Sequence, residues 1–451
     1  MGWLWTIFVL TIAVLVIAYI LFYTISNAVG RAKVESQLAI MRTEGIPLDK
    51  EAILPKIPEK IFGYRANSRE PFELNASENG AHFYKAAFEL IEVSSSYNDL
   101  CNIQDKHQTY DVAKWSTQNR DIAQLLFKGK NLEMILNLFQ QGAEKPYAIY
   151  ERDYRELNKT LLPELKSMRA VFRLISIKAS LDGINGIPEV GYSLISDGFK
   201  TIKQFESDPF LISQLVNIAC TTLNINTMNS MVSRYGISRQ NAEHLLSELN
   251  KLDFKVNMIH GLDGEFLIGR NVFETFIKEY KLGEDALKSE YKFMITVWSF
   301  FYQDYTYFLT QYTKGRKLYS YPYWSVEKEM KEMNDELSNI PTKYWISNLT
   351  LPLLTNPRTK VANIESDIDA AKLTLALHIY KNQNGAFPDK LEQLAPAILK
   401  EIPVDPISGR PFEYHKTDGT FELSSVWLKE KREEEEDRKE QEKRSRNKNG
   451  K

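Results

Sequence analysis

The segment HGLDGEFLIGR, from His260 to Arg270, holds the residues with the clearest capacity for chemistry. His260, Asp263 and Glu265 carry side chains that transfer protons or bind metal ions, so their convergence in one cleft would suit a hydrolase. The segment also has two closely spaced glycines, which are typical of an ordinary polar loop, and Glu265 with Arg270 would then form a structural salt bridge. We favour the loop and predict no catalytic, cofactor-binding or metal-binding residue.

Familiar catalytic signatures do not occur in this sequence. Six histidines are present, and no two have the i,i+4 spacing of a helical metalloprotease motif. No G-x-S-x-G elbow, P-loop or G-x-G-x-x-G is found, and no Cys/His pair has zinc-ligand spacing. Cys101 and Cys220 form either one disulfide or two buried free thiols, and we expect free thiols. The sequence therefore predicts no cofactor and identifies no small-molecule substrate.

Length and composition indicate a multidomain protein with a large core. The chain has 451 residues, of which 43% are hydrophobic and 26% are charged. That balance excludes global disorder. The formal net charge of −2 gives no basic footprint for nucleic acid, so no nucleic-acid partner is expected.

An apolar run near the N-terminus predicts a membrane anchor at residues 1–27. Trp3–Ile25 reads WLWTIFVLTIAVLVIAYILFYTI, and no charged side chain precedes Arg31. A helix of about 20 residues crosses the hydrocarbon core, and Trp and Tyr favour the headgroup zones at its ends. A cleaved signal peptide is the alternative, with SNA at Ser26–Ala28 as the cleavage site, but the apolar run exceeds the usual length of such peptides. We expect an uncleaved single span whose partner is the lipid bilayer.

The rest of the chain divides into four predicted regions. Residues 28–75 read as a proline-bearing stalk, in which the anchor helix continues to about Met41. Residues 76–358 read as an all-α domain of stacked helices, the first capped by Asn75 or Ser77. Residues 359–428 form a small α+β module, and residues 429–451 a charged tail, disordered or helical. The all-α domain is predicted from helical periodicity at Asp121–Phe139, Tyr154–Ser180, Pro188–Glu206, Pro209–Ser233, Ser238–Leu252, Phe273–Lys281, Asp285–Tyr312 and Ser325–Leu337.

The most aromatic stretch is Tyr291–Tyr312, YKFMITVWSFFYQDYTYFLTQY. Its uncharged part is about half the length of a membrane span. We predict a buried core helix, and the wall of a groove for lipid or another hydrophobic ligand is the alternative.

The C-terminal module has a distinctive order of elements. Ile364–Tyr380 is an amphipathic helix that ends at Asn384-Gly385. A helical stub with Leu391 and Leu394 follows, and then a turn in which Asp405 accepts hydrogen bonds from its own downstream amides. RPFEYH and TFELSSVW alternate around KTDG, which predicts a β-hairpin.

This order resembles the C-terminal half of the G-type major pseudopilin of type II secretion. The resemblance covers roughly residues 364–427. The chain departs from the family because no prepilin peptidase motif precedes Trp3 and no calcium loop follows the hairpin. The matching residues are Tyr380, Asn384, Gly385, Phe387 (for a tyrosine), Pro388, Leu391, Leu394, Pro403, Asp405, Pro406, Gly409, Pro411, Phe412 and Tyr414.

The whole chain resembles bacterial envelope proteins that combine an N-terminal anchor, a helical domain and a pseudopilin-like end. NGAHFYKAAFELIEV and LISQLVNIACTTL carry this resemblance in the middle region. Arg31, Lys33 and Arg42 after the span favour a cytoplasmic bulk, whereas the resemblance implies export, which we expect. The predicted function is a non-enzymatic scaffold for envelope proteins, associated with secretion or pilus-like machinery. Lipid binding by the aromatic helix and the hydrolase centred on His260 are the alternatives.

Overall fold

The computed structural model describes residues 2–54, 77–107, 109–150, 152, 157–282, 301–351 and 356–425. This part of the chain is mainly helical, with one small sheet near the C-terminus and one long apolar helix near the N-terminus, as predicted. The elements are α1 (Gly2–Thr43), α2 (Gly80–Glu92), α3 (Ser95–His107), α4 (Thr117–Phe127), α5 (Lys130–Ala143), α6 (Glu164–Ile184), α7 (Pro188–Gln204), α8 (Leu211–Tyr235), α9 (Arg239–Leu249), α10 (Phe254–Leu282), α11 (Phe301–Leu318), α12 (Tyr323–Ser338), α13 (Trp345–Thr350), α14 (Asn356–Asn384), β1 (Glu413–Thr417) and β2 (Thr420–Ser424).

The chain groups into two compact units. The first unit comprises Met1–Leu54, Leu262–Tyr321 and Val326–Arg358. The second unit comprises Pro55–Gly261, Pro322–Ser325 and Thr359–Lys451. The predicted stalk is described only as far as Leu54, and that part belongs to the first unit. Residues 55–76 and the charged tail at 429–451 lie outside the described residues, and the predicted domain boundaries stay predictions.

The second unit is built on helices that bury aromatic and aliphatic faces. Helix α2 packs against α5, and α6 packs against both α7 and α8. Tyr84 of α2 is fully buried, and its ring centroid lies 5.5 Å from that of Phe139. Its hydroxyl donates to Gln204 Oε1 at 2.5 Å and lies 2.8 Å from Thr201 Oγ1. A buried tyrosine needs such partners, because an unpaired hydroxyl in the core would be destabilising.

Several local predictions are wrong, and at Asn79 and Gly261 tertiary contacts decide the outcome. The helix predicted over Tyr154–Ser180 begins only at Glu164, and the one predicted over Phe273–Lys281 is the end of the longer α10. The cap of α2 is Asn79, whose side chain accepts from Ala81 N and also bonds the backbone N–H and carbonyl of Ile149. The helix predicted over Asp121–Phe139 is two helices, because Gly129 is extended and begins the second. The segment HGLDGEFLIGR is not a loop but lies within α10. A glycine inside a helix costs about 1 kcal/mol relative to alanine. Close packing compensates, since a Cβ on Gly261 would lie 3.1 Å from the Leu211 backbone.

The turn at Asp405 confirms the local geometry predicted for the C-terminal module. Asp405 is fully buried, and its carboxylate accepts from Ser366 Oγ at 2.7 Å, Ser425 Oγ at 2.8 Å and Ser408 Oγ at 2.7 Å. It also accepts from the backbone N–H groups of Ile407 and Ser408. Burial raises the pKa of Asp405, but these hydrogen bonds outweigh burial and hold the pKa below its usual value. The carboxylate thereby joins α14, the turn and the end of the hairpin.

The hairpin forms as predicted and covers the end of α14. Thr417 pairs with Thr420 across a two-residue turn, in which Gly419 has φ +79. Phe421 packs against Phe387 with ring centroids 4.9 Å apart, and the Tyr414 hydroxyl donates to the Pro388 carbonyl at 2.7 Å. These contacts close a small apolar core around the short 3-10 helix Leu391–Leu394.

Replacing Asp405 with alanine should destabilise the second unit by about 3 kcal/mol, because buried hydroxyl and N–H donors lose their acceptor. Chemical denaturation of the detergent-solubilised protein, followed by circular dichroism, measures the change. The exposed Asp389→Ala is the matched control and should leave stability nearly unchanged. Since the folded pKa is lowered, the contribution of Asp405 is present above its unfolded pKa of about 4 and is lost as pH falls further. A loss no larger than that of Asp389→Ala would contradict the structural role of Asp405.

Candidate membrane-interface site

Helix α1 presents a bare apolar surface over its first half. Trp3 is 80% exposed and Ile25 is 61% exposed, and the large apolar residues between them are mostly exposed as well. By length and composition α1 is a candidate for a single membrane span, and a signal sequence would meet the same criteria. Exposure on this scale is unfavourable in water, because each buried CH₂ group is worth about 0.8 kcal/mol.

The second half of α1 packs along α11 in the first unit. Gln303 Nε2 donates to Ser26 Oγ at 3.3 Å, and Gln37 Nε2 donates to Thr313 Oγ1 at 3.2 Å. The order of these contacts shows that the two helices run in the same direction. The Arg31 guanidinium lies 5.1 Å from the Tyr302 ring centroid, which adds a cation–π contact.

Gly30 is the point of closest approach between these helices. A Cβ built on Gly30 would lie 2.5 Å from Tyr302 Cβ, which is too short for any real contact. Small residues at helix interfaces let backbones approach closely, and Ser26 stands one turn earlier on the same face. Val34 and Met41 continue this face and are buried. The docking of α1 therefore depends on the absence of a side chain at Gly30.

The inner face of α11 is a packed aromatic core. Tyr312 stacks on Phe266 with centroids 4.2 Å apart, and Tyr305 stacks on Phe273 at 4.5 Å. Phe308 lies between them and is also buried. The inner face of the described half of the predicted aromatic helix is thus core, whereas residues 291–300 lie outside the described residues.

Asp304 fixes the chain that follows α11. It is fully buried, and its carboxylate accepts from the backbone N–H groups of Ile346 at 3.1 Å and Ser347 at 3.2 Å. The Ser347 hydroxyl also donates to this carboxylate. Burial raises the pKa of Asp304 to about 6, although these hydrogen bonds oppose the shift. Asp304 thereby holds the start of α13 and, with it, the neighbouring Tyr344.

A groove of about 620 Å³ lies between α1, α11 and Tyr344. The end of the groove formed by Phe22, Ile25 and Val29 is apolar, and the rest carries hydroxyl, amide and ammonium groups. Tyr344 stacks on Tyr307 with centroids 4.9 Å apart, so one wall of the groove is a pair of rings. The lining residues are Phe22, Ile25, Ser26, Val29, Gly30, Lys33, Gln303, Thr306, Tyr307, Thr310 and Tyr344.

The residues singled out in the sequence for acid–base chemistry have separate partners. Helix α10 points Asp263 and Glu265 to nearly opposite sides, since residues two apart differ by about 200° around a helix. His260 Nε2 lies 3.2 Å from the Ser207 carbonyl oxygen. Arg270 pairs with Glu274 at 2.5 Å and donates to the Leu48 carbonyl. The hydrolase hypothesis gains no support from this arrangement.

Asp263 belongs to a buried ion pair in the first unit. Arg316 Nε donates to Asp263 Oδ1 at 2.6 Å, and its terminal nitrogen donates to Oδ2 at 3.0 Å. The Tyr312 hydroxyl donates to the same carboxylate. Burial and the Asp263 charge raise the pKa of Tyr312, so its hydroxyl stays a donor. This is a bidentate structural contact that ties α10 to α11.

The other places considered for chemistry are the cavity of the second unit, groups of metal-binding side chains and the two cysteines. The second unit has a cavity of about 660 Å³, into which Arg152 projects beside Glu164. Arg152 is paired with both Glu164 and Asp208, so its charge is already balanced. Within the described residues, no group of three or more His, Cys, Asp or Glu side chains could hold a metal ion. Cys101 and Cys220 are free thiols, the first half-buried and the second buried.

A groove walled by the aromatic helix was the alternative in the sequence analysis, but its second wall, α1, was not identified, although a signal for it exists. Gln303, Thr306, Thr310 and Thr313 recur at helical spacing on α11 and give one polar stripe within an aromatic helix. On α1, the small residues Ser26 and Gly30 have the i,i+4 spacing of a helix contact. Neither stripe indicates which helix it will meet, and that pairing comes only from the structure.

No protein-family model, curated protein or solved structure matches the chain. The pseudopilin resemblance, the envelope assignment and the predicted partners therefore stay predictions.

Replacing Gly30 with valine should separate α1 from α11 and lower stability by about 2 kcal/mol, because the new side chain would overlap Tyr302. The thermal midpoint of the detergent-solubilised protein measures this effect. Ala32→Val adds a similar side chain at an exposed position of the same helix and should leave the midpoint unchanged. Equal midpoints for the two variants would show that α1 does not depend on this contact.

Replacing Arg316 with glutamine should cost about 3 kcal/mol, because the Asp263 carboxylate would stay buried without its cation. Lys317→Gln removes an exposed charge from the next position and serves as the control. Both variants are compared by chemical denaturation. If they are equally stable, the ion pair between Asp263 and Arg316 does not hold the first unit together.

Proposed function

We propose that this protein is a single-pass membrane protein of the bacterial envelope that acts without catalysis. Its folded units would present surfaces to other envelope proteins, in association with secretion or pilus-like machinery. The single observation that carries this proposal is the exposed apolar half of α1, from Trp3 to Ile25, joined without a break to a half that is packed in the first unit.

The packing of α1 favours an uncleaved anchor over a signal peptide. Ser26 and Ala28, the small residues of the alternative cleavage site, lie within the continuous helix. Ser26 accepts a hydrogen bond from Gln303, and Gly30 touches Tyr302 just beyond. Cleavage after Ala28 would require this helix to unwind and would remove part of its contact with α11.

The C-terminal module supplies the case for an interaction role. The module has a helix, a stub, the Asp405 turn and a hairpin, in an order that resembles the major pseudopilin. That pseudopilin is a subunit that assembles with other proteins. Trp324 and Val404, both about half exposed, are large apolar side chains near this turn. Trp324 N–H donates to the Pro406 carbonyl at 3.4 Å, so the surface is held by the module itself. Exposed apolar groups beside a rigid turn suit a protein partner.

A C-terminal alkaline phosphatase fusion tests the anchor and the orientation together. The full-length fusion should stay in the membrane pellet after alkaline carbonate extraction and should show phosphatase activity, since the enzyme is active only after export. Replacing Ile12 and Val16 with aspartate should release the fusion, because each charge at the centre of a span costs about 3 kcal/mol. Replacing the same two residues with alanine is the control and should keep the fusion in the pellet.

Two results with the fusion would overturn the anchor or its orientation. A wild-type fusion recovered intact in the supernatant without detergent would exclude the anchor, and an inactive phosphatase in the pellet would place the bulk in the cytoplasm. In the same cells, formaldehyde should cross-link the fusion to at least one other envelope protein. Absence of any adduct contradicts the interaction role.

A further inference from the structure

We propose that the groove between α1 and α11 binds one anionic phospholipid of the bilayer, with its phosphate beside Lys33 and an acyl chain along Phe22 and Ile25. This inference rests on the proposed anchoring of α1. It concerns the outer face of α11 and is separate from the aromatic face, which is core.

The polarity of the groove changes along its length in the same order as that of a phospholipid, from an apolar acyl chain to a charged headgroup. Phe22, Ile25 and Val29 line the end nearer the span, and each is at least half exposed. Lys33 lines the opposite end. Between Phe22 and Lys33 the helix rises by about 16 Å, enough for a headgroup and the upper part of one acyl chain. The remaining chain would lie in the bilayer.

The height of the groove matches the headgroup layer. If the span ends at Ile25, Ser26 and Gly30 lie within about 8 Å of the hydrocarbon edge, which is the depth of the polar layer in one leaflet. Lys33 is about 12 Å above Ile25, and a lysine side chain can extend back towards the phosphates. The cation thus reaches the level at which lipid phosphate lies.

The groove also has the charge and hydrogen-bonding groups that a phosphate needs. Among its described lining residues, Lys33 is a cation and none is a carboxylate. Tyr307 adds a hydroxyl group to the wall, whereas the Thr306 and Thr310 hydroxyls already donate to backbone carbonyls of α11. Lys343 is not among these lining residues, and its ammonium lies 4.9 Å from the Tyr344 ring centroid. An anionic headgroup is therefore favoured over a neutral one.

The site is held in shape before any ligand binds. Asp304 fixes the backbone at Ile346 and Ser347, and Tyr344 is stacked on Tyr307 at 4.9 Å. On the other side, Gly30 keeps α1 against Tyr302. A preformed groove loses little conformational entropy on binding, and 620 Å³ is within the range of small-molecule sites.

Native mass spectrometry of the full-length protein in a non-ionic detergent tests this site. Palmitoyl-oleoyl phosphatidylglycerol is titrated as the anionic probe, with the matching phosphatidylcholine as the neutral one. We expect one phosphatidylglycerol molecule per chain, bound more tightly than phosphatidylcholine. Lys33→Gln should raise the Kd for phosphatidylglycerol about fivefold, the effect of one cation near lipid. Thr310→Trp should fill the groove and abolish saturable binding, whereas Lys317→Gln, an exposed charge outside the groove, should change nothing.

Each other outcome overturns the proposal. Equal Kd values for wild type, Lys33→Gln and Thr310→Trp would place the bound lipid elsewhere. Equal binding of the two lipids, lost in Thr310→Trp, would show a groove without anionic selectivity. Thr310 is exposed, and an unchanged thermal midpoint for Thr310→Trp verifies that the variant is folded. Failure of the lipid site leaves the protein in the carbonate-resistant pellet, whereas failure of the anchor releases it, so the two results are distinguishable.

Discussion

As the proposed membrane anchor, helix α1 would have to satisfy two different surroundings with one uninterrupted backbone, and the first unit is packed against one end of it. Its apolar half is exposed, and its other half is packed where Gly30 meets Tyr302. A helix satisfies its own backbone hydrogen bonds, so it can pass from hydrocarbon to protein without exposing polar groups. The groove follows from the same arrangement, because α11 touches α1 closely at Gly30 and leaves a space beside this contact.

Three buried carboxylates among the described residues position elements of the fold. Asp304 holds the start of α13, Asp263 ties α11 to α10, and Asp405 joins α14 to the hairpin. Each carboxylate accepts several hydrogen bonds, which is the condition for burying a charge without a large loss of stability. The pKa values of Asp405 and Asp304 differ because their donors differ. Five donors bind Asp405 and lower its pKa, whereas burial dominates at Asp304 and raises the value to about 6.

Sequence patterns predicted what depends on neighbours along the chain. Helical periodicity gave the all-α character, and Asp405, Pro406 and Gly419 identified the turn and the hairpin, because these conformations depend on one or two residues. Sequence patterns failed where the conformation is decided by a contact between residues that are far apart in the sequence. The glycines of HGLDGEFLIGR suggested a loop, yet Gly261 allows α10 to pack on Leu211. The second wall of the groove, on α1, was missed for the same reason, since the two walls are separated by more than 250 residues of sequence.

The helix from Gly2 to Thr43 is unbroken. It therefore fixes both the rotation of the first unit about the helix axis and its distance along that axis, relative to the apolar segment. A flexible tether would absorb an inserted residue with little effect. Here, one residue added between Ile25 and Ser26 would rotate the apolar segment by about 100° and shift it by about 1.5 Å along the axis. An insertion of seven residues, two full turns, would nearly restore the original orientation but would move the first unit about 10 Å along the axis, away from the apolar segment.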